Sequence, residues 1–259
     1  MTIHDLSFLE NPSWFSRAYY WWYKIMTPLA VKTSKRLITV SEFSKREILR
    51  FYTFLKAEDI KVIYGAVDNE TFHLQTQGET DNEHFALAVS SLDPRKNFNN
   101  LIEAFKHIKG CQLKIVGSRN RVFTDDSQSN PSTEHIKYIG RVSDEKLTAL
   151  YNKASLFIFP SVYEGFGLPP LEAMACGCTV LASDIPVIRE ICGNAALYFD
   201  PYNVDDIIRA ITQYLCESDV IKETIHKKGL ANISRFSWEK SALAVMNIVE
   251  DVQKQKDCE

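Results

Sequence analysis

Between residues 85 and 216 the chain alternates short strand-type runs with amphipathic stretches, and this rhythm limits its possible folds more than any other feature. Apolar runs of strand length fall at 85–90, 112–117, 136–140, 156–160, 178–183 and 195–200. Between them, apolar residues recur at helical spacing over 98–109, 143–153, 168–176, 186–192 and 203–216. A helix in each connection implies a parallel sheet covered on both faces, so the expected class is α/β. Ligands of such sheets sit at the carboxyl ends of the strands, which directs attention to the loops after Ser90, Gly117, Gly140 and Pro160.

The loop after Pro160 leads into the segment Glu164-Gly-Phe-Gly-Leu-Pro-Pro-Leu-Glu172. Pro169 and Pro170 suit the first turn of a helix, where a missing N–H costs little, so the order is strand, glycine-bearing loop, helix. Gly165 and Gly167 let backbone approach a ligand closely, and the free N–H groups of a helix start favour a phosphate there. Glu172 lies about one turn into the helix, and helical side chains lean toward the N-terminus, so its carboxylate can reach back to the same place. A carboxylate beside a diphosphate is repelled by it. Both Glu side chains are therefore expected to accept hydrogen bonds from ligand hydroxyls, and a nucleotide sugar carries hydroxyls on both sides of its diphosphate.

Length and composition agree with a globular protein: 259 residues, 45% of them apolar, are enough for one large domain or a domain and part of another. A net charge of −3 gives no indication of a nucleic-acid partner. No apolar stretch approaches the roughly eighteen uncharged residues of a membrane span, and the opening 1–5 does not have the pattern of a signal peptide, so the cytoplasm is the expected compartment. The cysteines are scattered, and the one close pair, Cys176 and Cys178, reads as small buried side chains at a helix-to-strand junction. The polar stretch 124–133 reads as a surface loop, and 218–255 as helical with a break near 234–238, where Ser237 can cap a last helix.

The first 64 residues break the rhythm. Ile3, 37–40 and 60–64 have strand character but are too little to close a separate sheet, and His4-Asp5 already stands in loop position, as in the tail of a domain whose earlier strands are absent. Between these runs, 14–29 is dense in aromatics, with Arg17, Lys24, Lys32, Lys35 and Arg36 interspersed or following. Aromatics around much of a helix commonly pack against a neighbouring domain, and that reading is favoured here. The other reading is peripheral contact with a membrane at its inner face, since Trp, Tyr and Lys suit a headgroup zone.

Taken together, these residues resemble the retaining nucleotide-sugar glycosyltransferases of family 4, which have the GT-B fold of two facing Rossmann-like domains. The strongest match is Phe159 to Gly177, which contains the family's E-x7-E pattern and its flanks. Ser91-Leu-Asp-Pro-Arg95-Lys96-Asn97 resembles the donor-phosphate loop, Thr2-Ile-His4-Asp5 the His-bearing strand end of the first domain, and Gly140-Arg141-Val142 the base-side loop. Tyr64 to Asp68 resembles the interdomain linker, with Tyr where the family has Asn before the Gly. The resemblance divides the chain into a remnant of the acceptor-side domain (1–64), a linker (65–83), a complete nucleotide-sugar-binding domain (84–235) and a C-terminal helix that packs back toward the first part (236–259).

It also implies roles. Arg95 and Lys96 would stabilise the departing diphosphate. Glu164 would hold donor-sugar hydroxyls and Glu172 ribose hydroxyls, while backbone at Gly165, Phe166, Gly167 and Leu168 would meet the diphosphate and sugar. Arg141 and Val142 would lie on the base side, and His4 would approach the sugar from the opposing domain. No D-x-D motif occurs in the chain, and a metal-independent reaction without a cofactor is expected. GDP-mannose is the first choice of donor, with UDP- and dTDP-sugars open. The implied acceptor is a glycan or a lipid-linked acceptor in polysaccharide biosynthesis. Three readings stay open at this point: part of a glycosyltransferase, a donor-binding subunit whose acceptor domain comes from a partner chain, and a non-enzymatic nucleotide-sugar-binding module.

Overall fold

The computed structural model describes residues 1–75, 84–91, 93–117 and 135–257. The expected loop at 124–133, the later part of the linker, Leu92 and Cys258 lie outside the described residues. Six strands form one parallel sheet: β3 (Phe85–Val89), β4 (Gln112–Val116), β5 (Ile136–Gly140), β6 (Leu156–Phe159), β7 (Val180–Ser183) and β8 (Ala196–Phe199), in the order β5-β4-β3-β6-β7-β8. The chain runs outward from β3 to one edge, then returns to β6 and runs to the other. The switch point thus falls between β3 and β6, where the loops that follow these strands diverge and open a crevice.

The strand sequences account for their places. β6 (Leu-Phe-Ile-Phe) and β7 (Val-Leu-Ala-Ser) are buried along their whole length, as central parallel strands covered on both faces must be. β5 at the edge keeps only Ile136 buried. Helices α4 (Phe98–Phe105) and α8 (Val204–Leu215) cover one face through Leu101, Phe105, Ile207 and Ile211. Helices α5 (Asp144–Lys153), α6 (Leu168–Ala175) and α7 (Pro186–Cys192) cover the other through Tyr151, Leu171, Met174 and Ile188, with α9 (Asp219–Ile233) outside α6. Every expected strand and helix in this region is present within a few residues. Cys176 and Cys178 are buried at the junction of α6 and β7.

The first part of the chain is smaller but better organised than its sequence suggests. The runs that read as too short to close a sheet do pair: β1 (Leu37–Thr39) lies parallel to β2 (Ile60–Val62), and Thr2 bridges to Ile38 on the other side. Around them pack α1 (Ser7–Glu10), α2 (Arg17–Thr33) and α3 (Glu42–Phe51), burying Ile3, Leu6, Phe8, Leu37, Ile48 and Ile60 in a separate cluster. The alternation of runs does not anticipate α3; its start is fixed by Ser41, whose hydroxyl accepts from the Ser44 amide at 3.0 Å. The last helix, α10 (Trp238–Asp257), begins where Ser237 accepts from the Lys240 amide, and its Ser241 hydroxyl donates to the Tyr64 carbonyl at 2.6 Å.

Candidate functional site

The loops after β3 and β6 meet across the switch point in a buried ion pair. After β3 the chain makes one tight 3₁₀ turn (Pro94–Lys96), and the Arg95 carbonyl accepts from the Val162 amide at 2.8 Å, joining the two loops by backbone. That turn aims Lys96 at Glu164, with Nζ 2.5 Å from Oε1 and side chains only 10% and 11% exposed. At such burial the desolvation of two charges is several kcal/mol each, and their attraction offsets it only if the geometry stays intact. A pair held at this cost in a loop, beside an open crevice, is better matched to handling a ligand than to stabilising a fold.

Beyond Glu164 the two glycines permit a close approach and a tight turn, and the neighbour that Gly165 approaches is the chain's own backbone. Gly165 packs so closely on the small sheet that a Cβ there would stand 2.4 Å from the His4 carbonyl oxygen. The Gly165 carbonyl accepts from the Ser41 hydroxyl at 2.7 Å and the Ser44 hydroxyl at 3.1 Å, and Ser44 also reaches the His4 carbonyl. Gly167, at φ +116°, takes a backbone conformation that side chains disfavour and turns the chain into α6. No side chain caps this helix start, and because Pro169 and Pro170 carry no N–H, the first-turn amide it can present to a ligand is that of Leu168, a residue of the cavity lining. His4, Asp5, Glu164 and the backbone from Gly165 to Leu168 line one end of a cavity of about 660 Å³; Ile38, Val40, Ile63, Trp238 and Val245 make the rest mostly apolar.

Comparison with known proteins gives this arrangement its family. Residues 69–229 match the model of the glycosyl transferases group 1. The chain belongs to that family. This glycosyltransferase chain is 31% identical to O-antigen chain mannosyltransferase B of Escherichia coli over 268 aligned residues, covering 95% of the chain and 68% of that protein. It is 34% identical to O-antigen chain mannosyltransferase RfbU of Salmonella typhimurium over 205 residues, covering 78% of the chain and 56% of that protein. Among solved structures, sucrose-phosphate synthase from Thermosynechococcus elongatus matches with a TM-score of 0.78 at 22% identity, over 98% of this chain and 67% of that one. Anabaena HepE in complex with UDP-glucose matches with 0.78 at 20% identity, over 96% and 71%. The fold is therefore that of the GT-B glycosyltransferases.

The glycosyltransferase chain does not bring all its expected site residues to one place. His4, Glu164 and Gly165 to Leu168 line the cavity together, and Lys96, outside the lining, is joined to them through Glu164. Arg95 lies at the joint between the two sheets, where Nη1 meets Oδ2 of the cavity-lining Asp5 at 3.3 Å and Nε meets Asp93 Oδ1 at 3.2 Å. Burial pulls its guanidinium down, but the carboxylates of Asp5, Glu164 and Asp93 outweigh this and hold it above its ordinary value. Glu172 lies outside the cavity lining and accepts from the Tyr151 hydroxyl at 3.1 Å. Burial raises its carboxyl to about 6, against the lowering effect of the Tyr151 hydrogen bond and with a further upward push from Asp144. Arg141 is exposed after β5, and Val142 is half-buried against the core. Sequence reasoning named Asp5 beside His4 without giving it a role, and it missed Ser41 and Ser44, whose hydroxyls three residues apart at the start of α3 were the one available signal.

Proposed function

We propose that the chain carries the donor half of a retaining family 4 glycosyltransferase that moves a hexose, mannose first, from a nucleoside-diphosphate sugar to a glycan or lipid-linked acceptor during polysaccharide synthesis. The observation that carries this is the buried Lys96–Glu164 pair beside the uncapped start of α6. Lys96 and the backbone amides between Gly165 and Leu168 would hold the diphosphate, with Arg95 adding charge from behind Asp5, and Glu164 would accept from sugar hydroxyls. Glu172, disfavoured as a buried anion, would gain hydroxyl donors from the ribose. In the reaction, the bond from the anomeric carbon to the β-phosphate oxygen breaks and a bond to the acceptor oxygen forms on the same face. The departing phosphate takes the acceptor's proton, so the site's main task is to stabilise developing phosphate charge. Residues 84–235 form the donor-binding unit in this reading, 65–83 the linker, and 1–64 with 236–259 the acceptor-side portion. Mannose is favoured by the names of the two bacterial relatives, and GDP is the carrier this reading takes first. The place of action is the cytoplasm, against the inner face of a membrane.

A second reading, a donor-binding subunit completed by another polypeptide, is favoured by the apolar wall formed by Ile38, Val40 and Ile63 with Trp238 and Val245. The chain spans 68% of mannosyltransferase B and 56% of RfbU. Turnover that appears only when a second polypeptide is added would select this reading. The donor site itself is tested by thermal shift with GDP, UDP and dTDP. A ligand at about a hundred times its Kd adds roughly 2.7 kcal/mol, and GDP is expected to give that shift in the parent but not in Lys96→Ala. Indifference to all three nucleotides would overturn the donor site.

A further inference from the structure

Helix α2 has two apolar faces, and only one of them is used. Thr27 and Val31 turn inward and are its buried residues. On the opposite side, at the spacing of one helical face, Trp21, Trp22, Ile25 and Leu29 stand 55%, 64%, 57% and 54% exposed. Single exposed apolar side chains are ordinary, but a contiguous stripe with two tryptophans is not.

The charges around the stripe say what it fits. No Asp or Glu occurs between Glu10 and Glu42, while Arg17, Lys24, Lys32, Lys35 and Arg36 all do, in a chain whose net charge is −3. Lys24 Nζ lies 5.0 Å from the ring centres of both Tyr20 and Trp21, and Lys32 Nζ lies 5.4 Å from that of the exposed Phe54. The cations therefore border the aromatic stripe at its own level. A second copy of the chain is a poor occupant, because an isologous contact would set these cations against one another. Protein-interface cores are also depleted in lysine. Tryptophans and apolar side chains bordered by lysines, with no acid among them, match an anionic lipid surface, where the rings enter the headgroup zone and the ammonium groups meet phosphates.

We propose that the outer face of α2 docks the protein on an anionic membrane, with Trp21, Trp22, Ile25 and Leu29 inserted and Lys24 and Lys32 on lipid phosphates. No helix among the described residues is long and apolar enough to cross a membrane, so the contact is peripheral. The inference does not depend on the donor-site reading. Co-sedimentation of the full chain with vesicles of phosphatidylglycerol and phosphatidylcholine, against phosphatidylcholine alone, tests it. Expected are binding to the anionic vesicles, a blue shift of tryptophan emission on binding, and release by salt. At about 1 kcal/mol per lysine, Lys24→Gln with Lys32→Gln should weaken binding roughly thirtyfold. Trp21→Ser with Trp22→Ser should weaken it tenfold or more. The proposal is overturned if neither vesicle binds, if binding survives both pairs of substitutions, or if the parent elutes as a dimer that Trp22→Ser converts to a monomer.

Discussion

At the scale of single residues, the two carboxylates of the proposed donor site have different surroundings. Glu164 has a cation at 2.5 Å, and Glu172 has only a phenol. Removing the cation leaves Glu164 buried without its direct partner and with Arg95 as a more distant positive charge, so Lys96→Ala should cost about 3 kcal/mol in denaturant unfolding, whereas Lys96→Met combined with Glu164→Gln should recover most of that loss without restoring GDP binding. Recovery of both would show that the pair serves the fold and not the ligand. For Glu172 the sign follows from a folded-state value of about 6 against an ordinary 4.5. The folded chain holds the proton more tightly than the unfolded one, so the carboxyl's contribution is complete below about 4.5 and is lost as pH rises through about 6. Glu172→Gln should therefore be more stable than the parent at pH 8, by up to roughly 2 kcal/mol, and equal to it near pH 4, while binding GDP more weakly. The spacing of the two Glu residues was legible in the sequence. The Tyr151 hydroxyl was not, because it comes from another helix and reaches Glu172 only through packing.

At the scale of elements, helix starts join the two sheets. Both carboxylate oxygens of Glu190, on α7, accept from the first amides of α3, at 2.7 Å from Glu42 and 2.8 Å from Phe43, and Oε1 also accepts from the Tyr64 hydroxyl. A charged acceptor on two unpaired amides at the positive end of a helix is a strong cap supplied from a distant part of the chain. Glu190→Ala should lower stability by about 2 kcal/mol, and Glu190→Gln, which keeps one acceptor, by about half of that, as read from calorimetric midpoints. Equal effects of the two substitutions would remove the charge from the explanation. Such a cap explains why α3 was hard to read: the sequence signals of a helix start are local, and this partner stands far along the chain. By contrast, α4 to α8 were legible because each has one apolar stripe facing one sheet. In α2 the apolar residues go round the helix, so periodicity could not tell its inner face from its outer one.

At the scale of the whole molecule, the alternation of runs was enough to give a parallel sheet, and the rule that ligands gather at strand ends was enough to select the loops after β3 and β6. What the sequence left open was how the small sheet meets that crevice. Aromatic contacts do much of this: Tyr64 after β2, Phe166 in the loop after β6 and Phe236 in the turn before α10 meet edge-to-face or tilted with ring centres 5.6 to 6.1 Å apart. Gly165 is the narrowest point of the joint. Gly165→Ala should force the two sheets apart at His4, abolishing the GDP-induced thermal shift and increasing susceptibility to proteolysis between 65 and 84; an unaltered shift would mean that the joint yields freely.

The anchoring of the Gly165 carbonyl has a mechanical result. Both ends of the loop, at β6 and α6, belong to the large sheet, but its middle is fastened by serine hydroxyls to the small one, so ends and middle answer to different bodies. If the bodies rock against each other, the entrance of α6 is reshaped as a drawstring reshapes the mouth of a bag, and the grip on a phosphate tightens or slackens with the angle between them.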